Sequence, residues 1–294
     1  MTQDATPLPW LSLLYVPAHD ARRLEDALRS GAHAAILDLE DFVPYPHKAQ
    51  ARQALPRAAA ACRAAGMGVA VRINRRMDLA AADIEHAVAA GADAIMMTKA
   101  MGAQHLMLVD ELVGAWERRR GLAAGGIRLI ALVETAAAIG RMEEICRASR
   151  RLVAIGLGGE DVARECAMVS SEDTLRLPKQ QMIFAAVAAG IVPLGYLASV
   201  VDYRNADEFA AMVRRSRAFG FQAATCVNAE QVAVVNAAYA PTARELDAAR
   251  AALAVRDAGA LREDDGALPH ETESARRRAA LLLARGRMAA CMPS

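Results

Sequence analysis

Six charged residues follow apolar segments of this sequence, each where the apolar segment stops. They are Glu40, Arg72, Lys99, Glu134, Glu160 and Asp161. Near-continuous runs of Val, Ile and Leu are typical of parallel strands that are buried on both faces. The carboxyl ends of such strands form the face of a (β/α)₈ barrel that carries its chemistry. We therefore predict that these six side chains converge at one mouth of a barrel.

Two of these carboxylates are candidate metal ligands. Glu134 ends the segment RLIALVE, and Asp161 ends the next apolar segment, LVAIGLGGED. Carboxylates without His or Cys nearby form a hard oxygen site, which suits Mg²⁺ and also Mn²⁺. Mg²⁺ takes one or two protein carboxylates and completes its coordination with water and substrate oxygen. Alternatively, each residue stabilises the amino terminus of the helix that follows it, and the sequence leaves both interpretations open.

Arg72 and Glu40 are candidate catalytic residues. Arg72 lies in the segment VAVRIN, where a guanidinium in a buried strand needs an anionic partner. A substrate carboxylate fits the planar fork of an Arg side chain, so Arg72 is also a candidate substrate-binding residue. An ion pair with Glu40 or Asp38 on the neighbouring strand accounts for Arg72 equally well.

Lys99 and a glycine pair complete the candidate site. Lys99 follows DAIMMT, a position where some aldolases place a Schiff-base lysine. A charge partner for a neighbouring catalytic group is the interpretation we favour for Lys99. In GLGGED, the third glycine of a dinucleotide-binding fingerprint is replaced by Asp161. Gly158 and Gly159 are instead expected to let the backbone approach a small substrate closely.

The elements that position these residues alternate between strand and helix lengths. The apolar segments are LSLLYVP, AAILDLED, VAVRIN, DAIMMTK, RLIALVE, LVAIGLGGED, PLGYLASVVD and AATCVN. The predicted helices are Ala21–Ser30, His47–Ala65, Leu79–Ala90, Gln104–Arg120, Ala136–Ser149, Thr174–Ala189, Asp207–Phe219 and Glu230–Ala238. This pattern predicts an α/β protein whose residues 1–240 form a TIM (β/α)₈ barrel. Residues 241–294 are predicted to be a helical extension, acting as a lid or an oligomer arm, with an Arg-rich helix at Glu271–Met288.

Composition argues against several other classes of protein. The net charge is +1 and aromatic residues are 4% of the chain, which disfavours nucleic-acid binding. Apolar stretches are shorter than the roughly 18 residues of a membrane helix, and MTQDATPLPW does not resemble a secretory signal. The five cysteines form no CxxC pair, so we expect buried thiols and a cytoplasmic location. The six histidines are scattered and are expected at the surface.

Several segments in fixed order carry a resemblance to a known family. They include SLLYVPAHDARRLEDALRSGAHAAILDLEDFV, GADAIMMTKA, ALVETAAAI, GLGGEDVA and GFQAATCVNAEQVAVVNAAYAP. The chain resembles the citrate lyase beta-subunit-like branch of the HpcH/HpaI aldolase superfamily. The resemblance implies a trimeric or hexameric TIM barrel that makes or breaks a carbon–carbon bond in citryl-, malyl- or citramalyl-thioesters. By this likeness Glu134 and Asp161 would hold Mg²⁺, Arg72 would bind the carboxylate of a 2-oxo acid, and Glu40 would lie near the metal's waters.

The chain also departs from the family pattern, and by the resemblance several of the lost groups would serve the thioester side, either as CoA contacts or as the catalytic acid/base. Leu11 and Asp26 replace an Arg and a Lys, Ala224 and Asn228 stand in the late motif G-K-x-x-I-H-P, and Ala267 replaces an Asp. We therefore expect a CoA thioester to bind more weakly than a free 2-oxo acid.

The sequence thus predicts a Mg²⁺-dependent carbon–carbon lyase that acts on a small hydroxy-dicarboxylic acid or its CoA thioester. The partner would be a 2-oxo acid such as oxaloacetate, pyruvate or glyoxylate. The alternatives are a CoA-independent aldolase, an acyl-CoA thioesterase on the same scaffold, and a non-catalytic 2-oxo acid-binding or assembly subunit. We expect a small-molecule substrate and a homo-oligomer, with neither nucleic acid nor membrane as partner.

Overall fold

The computed structural model describes residues 9–199, 205–257 and 269–290. In this part of the chain, eight parallel strands form a sheet in the order β7-β6-β5-β4-β3-β2-β1-β8. The strands are β1 (Ser12–Pro17), β2 (Ala34–Asp38), β3 (Gly68–Ile73), β4 (Ala94–Met97), β5 (Arg128–Val133), β6 (Leu152–Leu157), β7 (Val192–Leu194) and β8 (Ala224–Cys226). Strand β8 pairs with β1, and a bridge between Leu194 and Ala223 joins β7 to β8. The predicted TIM-type barrel is confirmed.

Helices surround the barrel and connect its strands. They are α1 (Ala21–Leu28), α2 (Lys48–Ala64), α3 (Met77–Ala89), α4 (Ala103–Arg119), α5 (Ala136–Ile139), α6 (Met142–Arg147), α7 (Gly159–Glu165), α8 (Glu172–Ala189), α9 (Ala206–Phe219), α10 (Ala229–Tyr239), α11 (Ala243–Asp257) and α12 (Pro269–Ala290). The single helix predicted at Ala136–Ser149 is two short helices, and α7 was not predicted. Strand β7 is shorter than the segment PLGYLASVVD suggests, and that segment ends outside the described residues.

The apolar core has two layers, as expected for strands covered on both faces. Side chains such as Ile36, Met96 and Ile130 fill the barrel interior. Alternating residues such as Leu37 and Ile95 pack outward against the helices. These residues are fully buried, so the strand ends that carry the candidate residues are held on a rigid frame.

The C-terminal helices α11 and α12 pack on one another and on the barrel. An added Cβ at Gly286 would lie 2.7 Å from Leu246, which shows how closely the two helices approach. Leu281 of α12 contacts the cluster of side chains inside the barrel. Within the described ranges, the structure contains no helix long and apolar enough to cross a membrane.

Some expectations for the sulfur and imidazole side chains were wrong. His33 and His105 are buried rather than exposed, at 1% and 8% exposure. Each accepts a hydrogen bond from a backbone N–H, of Leu11 and Met101 respectively. Cys62, Cys146 and Cys226 are buried free thiols as expected, Cys166 is exposed, and Cys291 lies outside the described residues.

Candidate active site at the carboxyl ends of the strands

Arg72 takes part in a buried ion-pair network. The register of β2 and β3 places Arg72 directly beside Asp38, and its Nε and Nη2 donate to the two Asp38 oxygens at 2.5 and 2.8 Å. Nη1 lies 3.2 Å from Glu40 Oε2. The ion pair that the sequence left open is therefore present. Two of the five N–H groups of the guanidinium therefore donate hydrogen bonds to Asp38, and Glu40 adds a charge contact.

The network is rigid because Asp38 also fixes the loop that follows β2. Its two oxygens accept hydrogen bonds from the backbone N–H groups of Glu40 and Phe42, both at 2.9 Å. The Arg72 guanidinium lies 4.7 Å from the ring centre of Tyr15 and 5.0 Å from that of Phe42. Asp38 is fully buried and Arg72 is 6% exposed, so each charge depends on the other.

Lys99 links Glu40 to Glu134. Its ammonium donates to Glu40 Oε1 at 2.8 Å, and its backbone N–H donates to Glu134 Oε2 at 2.7 Å. Its φ of 48° lies in the left-handed region, which a non-glycine residue adopts at a cost. Burial lowers the pKa of Lys99, but the hydrogen bond and charge of Glu40 outweigh it and raise the pKa above its usual value. A protonated, ion-paired amine is a poor nucleophile, which favours the charge-partner interpretation over a Schiff base.

Glu134 lies at the end of β5 in a tight cradle. An added Cβ at Gly158 would lie 2.5 Å from Glu134 Cγ, so a larger residue there would displace the carboxylate. The residue is 6% exposed. Burial raises the pKa of the Glu134 carboxyl to about 7, and Lys99 only partly opposes this effect. A nearby cation would stabilise the ionised form of a carboxyl buried in this way.

Asp161 lies in the first turn of α7, the helix that follows β6. Its Oδ1 is 2.5 Å from Arg164 Nη1, and its side chain is 25% exposed. Its negative charge contributes to the raised pKa of Glu134, so the two carboxylates lie within electrostatic reach. Glu160, the preceding residue, accepts a hydrogen bond from Ser170 at 2.8 Å.

The helix-capping alternative does not hold for Glu134. Thr135 is the N-cap of α5 and accepts a hydrogen bond from Ala138, while Glu134 accepts from Lys99. The N-cap of α7 is Gly158, so Asp161 is not a capping residue but one of two acidic residues in the first helical turn. At this position its negative charge interacts favourably with the dipole of α7.

A divalent cation fits this arrangement. In the described part of the chain, no three His, Cys, Asp or Glu side chains are grouped closely enough to form a full protein ligand set. Mg²⁺ does not require one, because it keeps several waters and uses one or two carboxylates. Glu134 is buried in the glycine cradle, and a bound divalent cation would offset the burial that raises the pKa of its carboxyl.

A cavity of about 170 Å³ opens beside Glu134. Tyr15, Glu160 and both candidate glycines, Gly158 and Gly159, line it. The structure thus links Arg72, Glu40, Lys99 and Glu134 through successive contacts and places Glu160 in the wall of the cavity beside Glu134. Arg72 is covered by Tyr15 and is not among the described residues that line the cavity.

Lys179 of α8 also lines this cavity, and the sequence analysis missed it. It lies within a helix rather than at a strand end. A signal was present, because Lys179 occupies the buried face of the helix together with Leu175, Met182, Ile183 and Ala186. A charged residue within an apolar stripe is unusual and has a partner or a function.

Comparison with known proteins identifies the family. A sequence model of the HpcH/HpaI aldolase/citrate lyase family matches residues 11–229. The chain belongs to this family. It is 29% identical over 252 residues to the citrate lyase subunit beta of Escherichia coli (strain K12), covering 85% of this chain and 83% of that protein.

Two further similar proteins bear on the chemistry. The chain is 29% identical over 254 residues to a (3S)-malyl-CoA thioesterase of Cereibacter sphaeroides (strain KD131), covering 84% of this chain and 82% of that protein. It also resembles a solved structure, the citrate lyase beta subunit of M. tuberculosis complexed with oxaloacetate and magnesium. That match has a TM-score of 0.64 and 28% identity, and covers 79% of this chain and 97% of the other.

The departures from the HpcH/HpaI family pattern occupy different places in the fold. Leu11 immediately precedes β1 and is fully buried at the end of the barrel opposite the cavity. Asp26 is exposed on α1 and pairs with Arg29. Asn228 caps α10 by accepting a hydrogen bond from Gln231 at 3.0 Å, and Ala267 lies outside the described residues.

Proposed function

We propose that this chain is a Mg²⁺-dependent carbon–carbon lyase acting on a small hydroxy-dicarboxylic acid or its CoA thioester. The partner would be a 2-oxo acid such as oxaloacetate, pyruvate or glyoxylate. The carrying observation is Glu134, a buried carboxylate in a glycine cradle at the barrel mouth, whose pKa is raised to about 7. The oxaloacetate and magnesium bound by the M. tuberculosis relative support the same chemistry.

In this proposal Glu134 and Asp161 hold Mg²⁺, and the same oxygen ligands also suit Mn²⁺ as a substitute. A bound divalent ion would draw electron density from the 2-oxo group while the carbon–carbon bond forms or breaks. Arg72 orients the substrate carboxylate with the N–H donors that Asp38 and Glu40 leave free. Glu40 and Lys99 hold Arg72 and Glu134 in position. Gly158 and Gly159 allow the substrate to approach the backbone.

A substrate screen tests the proposal. Malyl-, citramalyl- and citryl-CoA and the matching free hydroxy acids are incubated with the full chain and Mg²⁺, and release of the 2-oxo acid is followed. We expect release from at least one of them, and none after removal of the divalent ion with a chelator. Binding of oxaloacetate without turnover of any substrate would identify a non-catalytic subunit instead.

Thioester hydrolysis is the second candidate function. It is favoured by the similarity to the (3S)-malyl-CoA thioesterase of C. sphaeroides. The same screen separates the two, because a thioesterase releases free CoA together with an intact hydroxy acid, whereas a lyase releases a 2-oxo acid.

The Arg72→Lys variant tests the carboxylate-binding role of Arg72. A point charge cannot replace a planar fork, so we expect 2-oxo acid binding to weaken by about 1.5–3 kcal/mol, the range of a hydrogen bond to a charged group. Calorimetric titration with oxaloacetate in the presence of Mg²⁺ gives this value. Unchanged affinity together with reduced stability would show that Arg72 serves the ion pairs with Asp38 and Glu40 alone.

We expect acetyl-CoA to bind more weakly than oxaloacetate. A protein that binds CoA supplies Lys, Arg or a helix N-terminus to its phosphates, and Asp26 and Asn228 stand where the family has basic residues. The two ligands are titrated separately into the Mg²⁺-loaded protein. Acetyl-CoA binding as tight as that of oxaloacetate would overturn this expectation.

We further propose a homo-oligomer, a trimer or hexamer, in the cytoplasm. Leu177 and Phe184 of α8 are 68% and 64% exposed, which is typical of a surface that contacts another subunit. The free thiols of Cys62, Cys146 and Cys226 agree with a reducing compartment. We retain the division into a catalytic barrel at 1–240 and an extension at 241–294 that acts as a lid or oligomer arm.

A further inference from the structure

Lys179 is a buried cation in the wall of the cavity. It is 4% exposed, and among the described residues that line the cavity it is the only cationic side chain. Burial of an ammonium costs free energy unless an anion or several acceptors compensate. The buried ammonium of Lys179 therefore requires an anion or several hydrogen-bond acceptors next to it.

The described residues supply only part of that compensation. Within the part of the chain that the structure describes, the Lys179 ammonium donates one hydrogen bond, to the carbonyl oxygen of Leu197 at 2.6 Å, and it has three donors. No carboxylate of residues 9–199, 205–257 or 269–290 forms an ion pair with it within 4.0 Å. The charges of Glu160 and Glu172 act on it from further away. Burial lowers its pKa to about 8, so it carries a positive charge at neutral pH.

The glycine pair lies between this cation and the proposed metal ligand. An added Cβ at Gly158 would meet the Glu134 carboxylate at 2.6 Å, and one at Gly159 would lie 3.8 Å from Lys179 Nζ. Consecutive residues thus face the two groups, and the cavity extends past both. A small acid held near Glu134 by one end would present its other end towards Lys179.

We propose that Lys179 binds the second carboxylate of a dicarboxylic 2-oxo acid, so that the site selects oxaloacetate over pyruvate and glyoxylate. This inference rests on the proposed function, because it takes the 2-oxo end of the ligand to bind beside Glu134. Oxaloacetate carries a carboxylate at each end, whereas pyruvate ends in a methyl group and glyoxylate in hydrogen. A buried ammonium strongly favours the ligand that neutralises it.

Calorimetric titration of the full, Mg²⁺-loaded chain tests the inference. Wild-type protein is expected to bind oxaloacetate at least about 10-fold more tightly than pyruvate, because one hydrogen bond to a charged group contributes about that factor in affinity. Lys179→Met should lose that preference through weaker oxaloacetate binding, with pyruvate affinity unchanged. Lys179→Arg, which keeps the charge, should retain part of it. Arg176→Met, on the exposed side of the same helix, is the matched control and should behave as wild type.

Each outcome decides the inference. Wild-type protein that binds pyruvate at least as tightly as oxaloacetate overturns the role of Lys179 and leaves the proposed function intact. Failure of both acids to bind wild-type protein overturns both. If Lys179→Met loses both ligands, Lys179→Arg decides: a restored preference for oxaloacetate supports the inference, and no restored preference overturns it.

Discussion

Glu134→Gln is expected to reduce Mg²⁺ affinity by more than about 100-fold while the barrel stays folded. Loss of residues that merely support a metal ligand costs about 10–100-fold, and loss of a ligand's charge should cost more. Gln keeps the size of the side chain and an acceptor for the Lys99 N–H, so the cradle formed by Gly158 should persist. Mg²⁺ binding is measured by calorimetry and folding by circular dichroism.

Asp161→Asn provides the second arm of the same experiment. We expect it to weaken Mg²⁺ binding in the same direction, because Asp161 is proposed as the other ligand. Glu143→Gln is the control, since Glu143 is an exposed carboxylate that pairs with Arg147 on α6. Mg²⁺ affinity unchanged in both Glu134→Gln and Asp161→Asn would contradict the ligand assignment.

Asp38→Ala is expected to destabilise the fold by about 3–5 kcal/mol, the range for removing one partner of a buried ion pair. Arg72 would lose two hydrogen bonds, and the N–H groups of Glu40 and Phe42 would lose their acceptor. Unfolding in urea gives the free energy.

Asp41→Ala is the matched control for this measurement. Asp41 follows the same strand, but its side chain is 60% exposed and lies 3.7 Å from Lys99. Surface substitutions usually change stability by less than about 0.5 kcal/mol. A loss below about 1 kcal/mol in Asp38→Ala would show that Arg72 finds another partner and that the network does not hold the mouth of the barrel.

The strand ends were predictable because burial on both faces leaves a strong pattern. Glu134 was located from RLIALVE alone, and it does lie where β5 ends. Asp38 and Glu40 were candidate partners of Arg72 from the sequence, but the choice between them and a substrate carboxylate was not predictable, since it depends on the register that sets Arg72 beside Asp38. A shift of one residue would reverse the face of every side chain in the strand.

Local sequence was least informative where tertiary contacts decide the conformation. Nothing in MMTKA indicates that Lys99 adopts a left-handed backbone conformation. In the structure it does so while its backbone N–H donates a hydrogen bond to Glu134. Helix α7 has only seven residues, too few for a periodic pattern. Lys179 was not predicted because it lies within a helix and not at a strand end, and its place in the cavity wall depends on which face of α8 meets the cavity.

The central claim is that the mouth of this barrel binds a 2-oxo acid together with Mg²⁺. Its most direct test is a titration of the full chain with fresh oxaloacetate, with Mg²⁺ present and with a chelator in its place. We expect tight binding with Mg²⁺ and a loss of at least about 10-fold without it, because a ligand-chelated ion supplies the main attraction. Equal affinity under the two conditions would contradict the account.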